Sequence, residues 1–461
     1  MHYEKFADGT VKCIEDEIPF ELPERWEWCR LINICSKLID GDHNPPKGED
    51  TVTQYLMLSS TNINNDTLVE LEKVRYLSKD IFDKENQRTD VNIGDIFFTS
   101  VGSIGRSCVY TGGFNICFQR SVSVIRTFIL NEYLKRYLDA PFIQNKIARE
   151  ATGTAQKGFY LNQLSNCLIA VPPINEQQKI ANAVNKLMEY IVSIETDKTT
   201  LQDLIKQTKS KILDLAIRGK LVPQDPNDEP ASVLLERIRT EKEELIKQGK
   251  IKRDKKESVI FKGEDNSYYE KYHDGKLHCL DDELPFELPK GWEWCNLSMI
   301  GSTNIGLTYR PTDIVTDGVI VLRSCNIVND QIDLNDLVRV QTTIRDNQFA
   351  QENDILICAR NGSKALVGKC ALIPDFGEQA SFGAFMAIYR TKFYEYIVHF
   401  IRSNYFRSIF DDSNSTAINQ LTQDMLKRAI VPFPPLTEQY RIVTAIKLMM
   451  TELNQIEKSL N

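Results

Sequence analysis

The 461-residue sequence contains no uninterrupted apolar run of eighteen residues, so we expect no membrane-spanning helix. Its first ten residues, MHYEKFADGT, lack the apolar segment of a secretory signal, which favours a cytoplasmic protein. The eleven cysteines include no Cys-x-x-Cys pair, and the five histidines have no metal-ligand spacing. We therefore expect reduced thiols, no disulfide framework and no metal site.

Tryptophan is also scarce, and its distribution reveals a repeat. The four tryptophans form two Trp-x-Trp pairs, each of which ends a segment that occurs twice. Residues 3–31 read YEKFADGTVKCIEDEIPFELPERWEWCRL, and residues 269–297 read YEKYHDGKLHCLDDELPFELPKGWEWCNL, with eighteen of twenty-nine positions identical. The spacing places both tryptophans of a pair on one face of a strand, and we interpret them as structural anchors.

A second repeat predicts two long helices. Segments 172–218 and 434–460 both begin Pro-Pro-x-x-Glu-Gln, and apolar residues then recur in alternating steps of four and three. This heptad pattern predicts helices that bury their apolar seams against each other as a coiled coil. The seam positions are Ile180, Val184, Leu187, Ile191, Ile194, Leu201, Ile205, Ile212 and Leu215 in the first helix, and Ile442, Ile446, Met449, Leu453, Ile456 and Leu460 in the second.

The remaining chain predicts mixed strands and loops after each tryptophan pair. Single helices are predicted from Glu132 to Glu150 and near Tyr394 to Phe410, and another from Ala231 to Lys247. We predict five parts: an N-terminal domain at 1–165, a long helix at 166–218, a linker with a second helix at 219–268, a C-terminal domain at 269–430, and a distal helix at 431–461.

The charge is distributed unevenly. The net charge is -8, but residues 94–160 hold eight Lys and Arg against four Asp and Glu, and residues 355–407 hold seven against three. Two basic regions on an acidic chain predict two localised anion-binding faces.

Taken in order, these motifs resemble those of the specificity subunits of type I restriction-modification enzymes. The matching motifs are Leu-Pro-x-Gly-Trp-x-Trp, Pro-Pro-x-x-Glu-Gln-x-x-Ile, and LAIRGKLVP at 215–223 followed by EPASVLL at 229–235. The resemblance covers nearly the whole chain. One departure is Arg25, which stands where the family pattern and the second copy, with Gly291, have glycine.

The resemblance implies an α+β fold with two mixed α/β target recognition domains in a pseudo-twofold arrangement. A long antiparallel two-helix coiled coil would separate them. Each domain would read one half of a bipartite, interrupted site in double-stranded DNA, and the helices would set the spacer. Two methyltransferase (M) subunits would dock on the helices, and restriction (R) subunits would complete the complex. S-adenosylmethionine, ATP and Mg would be bound by those partners, so this chain would have no catalytic residue and no cofactor.

The side chains that would read DNA are expected on loops that combine Arg, Lys, Asn, Gln or Ser with glycine. In the first domain the candidates are Asp42, His43, Asn44, Ser100, Gly102, Ser103, Arg106, Arg120, Thr154, Gln156 and Lys157. In the second domain they are Tyr309, Arg310, Arg323, Asn326, Arg360, Asn361, Ser363, Lys364 and Lys369.

Two other readings compete with this one. A fused methyltransferase-specificity or nuclease-specificity polypeptide would need a methyl-donor loop and an Asn-Pro-Pro-aromatic motif, whereas the chain has Asn44-Pro-Pro-Lys47. The stretch from Gly362 to Lys369 differs from a phosphate loop, because five residues separate its glycines and Cys370 follows the lysine. A coiled-coil scaffold that never meets DNA would leave the two divergent basic regions unexplained.

Overall fold

The two copies of the repeat fold into two compact units, Met1–Thr196 and Asp197–Asn461, which we call unit 1 and unit 2. The structure is a computed structural model that describes residues 1–153, 157–254, 257–411 and 420–460. Both units combine helices with short strands, as expected for an α+β protein. Among the described helices, none has a stretch that is both long and apolar enough to span a bilayer.

Among its described residues, unit 1 contains thirteen strands, four complete helices and the first part of a fifth. Its strands are β1 Tyr3–Lys5, β2 Val11–Cys13, β3 Glu27–Arg30, β4 Cys35–Asp40, β5 Tyr55–Leu58, β6 Ile63–Asn64, β7 Thr67–Leu68, β8 Arg75–Tyr76, β9 Ile96–Thr99, β10 Ser107–Val109, β11 Asn115–Phe118, β12 Val122–Thr127 and β13 Leu168–Val171. Its helices are α1 Lys79–Thr89, α2 Asn131–Asp139, α3 Pro141–Glu150, α4 Leu161–Ser165 and α5 Ile174–Ile217, of which α5 continues into unit 2.

Unit 2 repeats this set of elements with additions. Its strands are β14 Ser258–Lys262, β15 Tyr268–Tyr272, β16 Leu277–Cys279, β17 Glu293–Asn296, β18 Gly301–Ile305, β19 Ile314–Val315, β20 Val319–Leu322, β21 Ile327–Val328, β22 Gln331–Ile332, β23 Val338–Val340, β24 Ile355–Cys358, β25 Cys370–Leu372, β26 Ala380–Phe382, β27 Met386–Thr391 and β28 Ile430–Phe433. Its helices are α6 Ala231–Lys247, α7 Leu297–Ile300, α8 Tyr394–Arg402, α9 Asn404–Asp411, α10 Gln423–Arg428 and α11 Leu436–Ser459.

The sheets of the two units have the same topology. An antiparallel four-stranded sheet has the order β10-β9-β12-β4 in unit 1 and β25-β24-β27-β18 in unit 2. A second sheet in each unit contains one parallel pair, β5 with β11 and β20 with β26. Strand β9 is buried at every position, as is β24, because both lie at the centre of the unit and are covered on two faces.

Helices α5 and α6 can be compared directly with the helices that the sequence predicts. Helix α5 begins at Ile174 and ends at Ile217, within two residues of the heptad segment 172–218, whereas the part assigned as 166–218 also includes strand β13. Helix α6 has the predicted bounds. The predicted helix from Glu132 to Glu150 is wrong in one respect, because Ala140 is extended and divides it into α2 and α3. Pro141 causes the break, since its ring disfavours a helical conformation of the preceding residue.

The end of α5 and helix α11 run antiparallel within unit 2. Lys209 forms an ion pair of 2.5 Å with Glu457, near the end of α11. Gln224, which follows α5, donates a hydrogen bond of 2.7 Å to Glu438 in the first turn of α11. Apolar side chains of the two helices share one core, which includes Ile212 and Ile442.

The seam of α5 is buried at Ile205 and Ile212, half-buried near its start at Ile180, and exposed over the middle of the helix. Leu187, Ile191 and Ile194 are 61, 48 and 66 % exposed, whereas Ile205 is buried. The expectation that every seam position is covered by the partner helix is therefore corrected. At about 1.5 Å per residue, α11 is roughly 36 Å long and α5 roughly 66 Å, so one cannot cover the other.

Candidate nucleic-acid interface

Three predicted loops of unit 1 meet where the strands of its sheets end. The backbone N–H of Asp42 donates to the carbonyl of Phe118 at 2.8 Å, and that of Arg120 donates to the carbonyl of Asp42 at 2.8 Å. The N–H of Ser100 donates to the carbonyl of Ser121 at 2.8 Å. These bonds place the segments 41–44, 100–106 and 119–121 side by side.

The polar loop before α4 joins the same edge of unit 1. Gly158 forms isolated bridges with Val101 and Thr152, and the N–H of Phe159 donates to the carbonyl of Ser100 at 2.8 Å. The predicted residues Thr154 and Gln156 lie outside the described residues. Lys157 is exposed on this loop.

Unit 2 brings its own loops together through corresponding bonds. The N–H of Leu307 donates to the carbonyl of Phe382 at 2.7 Å, and the N–H of Gly383 donates to the carbonyl of Leu322 at 2.9 Å. The N–H of Leu421 donates to the carbonyl of Ala359 at 2.8 Å, as Phe159 does to Ser100 in unit 1. Each unit therefore presents one cluster of loops, which we call its loop edge.

A glycine permits the closest approach within each loop edge. A Cβ atom on Gly41 would lie 2.2 Å from the carbonyl oxygen of Phe118, and one on Gly306 would lie 2.1 Å from that of Gly383. Because the clashing atoms are backbone, no side-chain movement could relieve the contact. The two glycines mark the same position in unlike loops.

Four predicted arginines project from the loop edges. Arg106 and Arg120 are exposed in unit 1, and their guanidinium groups form no hydrogen bond or ion pair with any described residue. Arg310 and Arg360 are exposed in unit 2. Exposed cations without an internal carboxylate partner are available to phosphate oxygens or to guanine.

Two other predicted residues, Ser100 and Asn326, have structural roles instead of facing solvent. Ser100 is buried, and its hydroxyl lies 2.7 Å from that of Ser123. Asn326 is buried, accepts from the Arg323 N–H at 2.9 Å and donates to the carbonyls of Asp333 and Asp336 at 3.1 and 2.8 Å. Its side chain therefore holds a loop closed, which differs from the expected base contact.

Arg323 differs from expectation in the same way. Its Nη2 donates to the Asp336 carboxylate at 2.8 Å, so an internal acid already partners the guanidinium group. In unit 1, Asn62 closes the corresponding loop by accepting from the Ser59 N–H at 3.0 Å. The correspondence between Asn62 and Asn326 was not visible in the sequence. The two residues share only their position three residues after the start of the loop.

Carboxylates surround the segment 41–44. The imidazole Nε2 of His43 lies 2.8 Å from Oδ2 of Asp40, which also pairs with Arg88. Burial, together with the Asp42 carboxylate, raises the pKa of Glu85. A carboxylate at a DNA-facing edge can accept a hydrogen bond from cytosine N4 but repels phosphate, so Asp42 suits base contact better than backbone contact.

The other candidates lie on the loop edges with varied exposure. Gly102 has a φ of +86°, a left-handed conformation that glycine adopts without strain. The carbonyl of Ser103 accepts a hydrogen bond from the Thr99 hydroxyl. The remaining candidates comprise exposed Asn44, Ser363 and Lys364 and half-buried Tyr309, Asn361 and Lys369.

The sequence did not single out Phe385, which is 60 % exposed on the loop edge of unit 2. The guanidinium of Arg360 lies over its ring, 5.6 Å from the centroid. An aromatic ring beside a cation can stack on or wedge against bases. The signal available in the sequence was an apolar ring two residues after Gly383, which the structure places in the turn between β26 and β27.

The loop edges carry no other evident chemistry. Among the residues that the structure describes, no group of three His, Cys, Asp or Glu could hold a metal ion. The cysteines there are free, and burial raises the pKa of Cys358 beside the unit 2 edge. A buried thiol with a raised pKa is a poor nucleophile.

Comparison with known proteins gives one consistent family. The sequence model of the type I restriction modification DNA specificity domain matches residues 23–203 and 289–461. The EcoAI specificity subunit of Escherichia coli is 26 % identical over 96 % of this chain and 80 % of its own length. The EcoEI specificity subunit of Escherichia coli is 35 % identical over 55 % of this chain and 40 % of its own length.

Solved structures agree on the fold. The HsdS subunit of Thermoanaerobacter tengcongensis aligns with a TM-score of 0.54 at 16 % identity, covering 96 % of this chain and 94 % of that one. A chain from a study of complex assembly and conformational transition of the type I R-M system aligns with a TM-score of 0.59 at 17 % identity, with the same coverage.

Proposed function

Because the chain belongs to the type I restriction modification DNA specificity family, it is a non-catalytic specificity subunit, and we propose that its two loop edges read the two halves of one interrupted DNA site. The protein would act on double-stranded DNA in the cytoplasm. The two rival readings are not favoured, since the family match extends over both units.

One observation supports this proposal above the others. The two units share their strand order and loop-closing hydrogen bonds, yet their loop edges carry different side chains. At corresponding strand ends, unit 1 presents Arg120 and unit 2 presents Phe385 beside Arg360. A common frame with unlike side chains suits two different half-sites, because sequence is read by the groups that reach the base edges.

We assign separate tasks to residues of the loop edges. Arg106, Arg120, Arg310 and Arg360 would contact guanine or phosphate, and Asp42 would accept from cytosine. The backbone N–H of Gly102 would lie close to a phosphate group. Asn326 and Ser100 would act indirectly by holding their loops in place.

The exposed part of α5 supports the assignment of partners. Leu187, Ile191 and Ile194 form an apolar stripe that is largely exposed in the single chain. Such a stripe on a helix is unstable in water alone and marks a protein-protein contact. We propose that two methyltransferase subunits dock on the helices and that restriction subunits join them, with S-adenosylmethionine, ATP and Mg bound by those partners and no cofactor bound here.

The proposal is tested by DNA retention of the assembled complex across a salt series. Binding driven by Lys and Arg contacts to phosphate falls steeply as salt rises. We expect the Arg106→Ala and Arg120→Ala double variant to reduce both the affinity and the salt slope. Arg149→Ala, which changes a 77 % exposed helix residue of unit 1, is the matched control. Equal retention by all three complexes would refute the assignment of the loop edge.

A further inference from the structure

Unit 2 is covered by a segment of chain for which unit 1 has no counterpart among the described residues. Residues 209–262, which we call the covering segment, contain the end of α5, helix α6 and strand β14. They pack on the repeat at 269–297, which is itself duplicated at 3–31, and on elements that follow it. In the part of the chain that the structure describes, no segment covers the repeat of unit 1 in this way.

The helical part of the covering segment fills an apolar groove of unit 2. Ile212, Ala216 and Ile217 share a core with Trp292 and Phe400. Next comes Gly219, where an added Cβ would lie 2.4 Å from Pro289 and 3.0 Å from the Trp292 ring. The chain therefore passes directly over the repeat, at a distance that only glycine allows.

Polar contacts fix the turn that follows. The N–H of Ala231 donates to the carbonyl of Gly291 at 2.8 Å. Asp228 pairs with Arg441 at 2.5 Å, and its carboxylate also accepts from the hydroxyl of Thr437 on the first turn of α11. These bonds seat the turn on positions of the two repeated segments, which in unit 1 are occupied by Arg25, Asn175 and Lys179.

Strand β14 completes the cover. It pairs antiparallel with β15, from Ser258 opposite Tyr272 to Lys262 opposite Tyr268. The hydroxyl of Ser258 donates to the buried carboxylate of Glu270 at 2.5 Å. The ring of Phe261 stacks on Tyr269, with centroids 6.0 Å apart.

The corresponding surface of unit 1 is open. Trp26 and Ile180 are partly exposed, whereas their counterparts Trp292 and Ile442 are 3 and 0 % exposed. A groove of about 430 Å³ runs along this surface, between the repeat and α2, α3 and α5. It is lined by Phe20, Pro23, Trp26, Tyr137, Ile180 and Val184, among others.

The strand of unit 1 that corresponds to β15 also has a free edge. Strand β1 pairs only with β2 among the described residues. Tyr3, the counterpart of Tyr269, is 59 % exposed and lacks the stacking partner that Phe261 provides in unit 2. A free edge of this kind accepts a further strand through main-chain hydrogen bonds.

Unit 1 also has a positive charge where the covering segment would place an acidic residue. Lys179 is the counterpart of Arg441 in the Pro-Pro-x-x-Glu-Gln repeat. It is exposed and forms no ion pair with a described residue. An acidic residue in the position of Asp228 could therefore form an ion pair with Lys179.

We propose that unit 1 binds a polypeptide segment with the sequence pattern of residues 209–262, seated as the covering segment is seated on unit 2. A second copy of this chain is not the occupant. Its own covering segment is engaged, with Ile212, Ala216 and Ala231 at most 7 % exposed, and releasing it would expose the core of its unit 2.

A labelled synthetic peptide of residues 209–262 tests the proposal against the full chain. We expect saturable binding of one peptide per chain, measured by fluorescence anisotropy. Peptide Ala216→Asp places a charge in the groove and should weaken binding by roughly a hundredfold. Peptide Lys211→Ala alters an exposed side chain and is the matched control, which should bind normally. Absence of saturable binding would overturn the proposal.

A charge exchange shows which unit binds the peptide. The chain variant Lys179→Glu should weaken binding by about threefold, as expected for a surface pair. Peptide Asp228→Lys should restore it. If Lys179→Glu changes nothing, the peptide has entered unit 2 and the proposal fails. Sedimentation of the chain alone should show a monomer, and a dimer that the peptide dissociates would overturn the choice of occupant.

Discussion

Trp26 donates a hydrogen bond from its indole Nε1 to the carboxylate of Glu176, with a distance of 2.7 Å. In unit 2, Trp292 donates in the same way to Glu438, at 2.9 Å. The first tryptophan of each pair is therefore tied to the first turn of α5 or α11, which joins the two repeated motifs physically. These hydrogen bonds support the interpretation of Trp26 and Trp292 as structural anchors.

Removing the acceptor should destabilise unit 1. We expect Glu176→Ala to lower its free energy of unfolding by about 1 to 2 kcal/mol, because the indole N–H loses its partner in a half-buried site. Glu176→Gln keeps an acceptor and should lose less than half as much. Urea unfolding followed by tryptophan fluorescence measures the difference. Glu189→Ala, at an exposed position of α5, should leave the transition unchanged.

Arg25 adopts the backbone conformation of the glycine that it replaces. Its φ is +73°, and that of Gly291 is +87°. The turn before the tryptophans is therefore the same in both copies, and the departure from the family motif leaves strain instead of a new shape. We expect Arg25→Gly to stabilise unit 1 by about 0.5 to 1 kcal/mol, and Gly291→Ala to destabilise unit 2 similarly. A loss of stability in Arg25→Gly, measured by urea unfolding, would show that the arginine contributes a contact that outweighs the strain.

The N-terminal hairpin is held by an acid-sensitive ion pair. Hydrogen bonding to Arg30 lowers the pKa of Glu17 to about 2, and Lys12 contributes further. A carboxyl with a depressed folded pKa stabilises the fold above its unfolded pKa of about 4.5, and this contribution is lost as pH falls towards 2. Wild type should therefore exceed Glu17→Gln in stability at pH 6, with the difference shrinking between pH 4.5 and 2. A constant difference in urea unfolding over that range would contradict the pairing.

Asn326 should matter to stability more than a surface residue would. Its amide satisfies one N–H and two carbonyls in a buried loop. We expect Asn326→Ala to cost about 2 to 3 kcal/mol in unit 2, because these backbone groups are left without a partner. Thermal unfolding checks this, with Asn335→Ala at an exposed position as control. An unchanged transition would mean that water replaces the amide and that the loop needs no such support.

The exposed seam of α5 should separate assembly from folding. Ile191→Asp should change the stability of the free chain by no more than about 0.5 kcal/mol, since the side chain is half exposed. It should nevertheless weaken association with the methyltransferase subunits, measured by sedimentation of the mixed proteins. Ile442→Asp, at a fully buried seam position, should instead unfold unit 2. Normal assembly by Ile191→Asp would refute the role given to the stripe.

Much of the architecture was readable because it depends on periodicity and repetition. The absence of Pro and Gly from residues 174–218 fixed the extent of α5, and the duplicated tryptophans located both units. The break at Ala140 depended on one proline inside an otherwise helical pattern. The middle of α5 is exposed because α11 is too short to cover it. The heptad pattern did not show this difference in length.

The sequence indicated which loops come together at the loop edges, but it did not indicate which side chains of those loops are exposed. The glycines and arginines of segments 100–106 and 360–364 indicated loops that the structure places on the two loop edges, and their contact with DNA stays a prediction. The burial of Ser100 and Asn326 did not follow from residue type, because Ser and Asn serve equally well as base contacts and as loop clamps. Only the tertiary neighbours, such as Ser123 across the sheet, decide between these roles.

Mapping of methylated adenines tests the central claim most directly. The chain would be expressed with its methyltransferase subunits, and the modified genomic motif determined for wild type, Arg120→Ala and Arg360→Ala, with Arg149→Ala and Lys392→Ala as exposed controls. We expect wild type to give a motif of two halves and a fixed spacer. Each loop-edge variant should relax one half only, a different half for each unit, at about 1 to 3 kcal/mol per lost base contact. A motif without two halves, or the same half altered by both variants, would contradict the account.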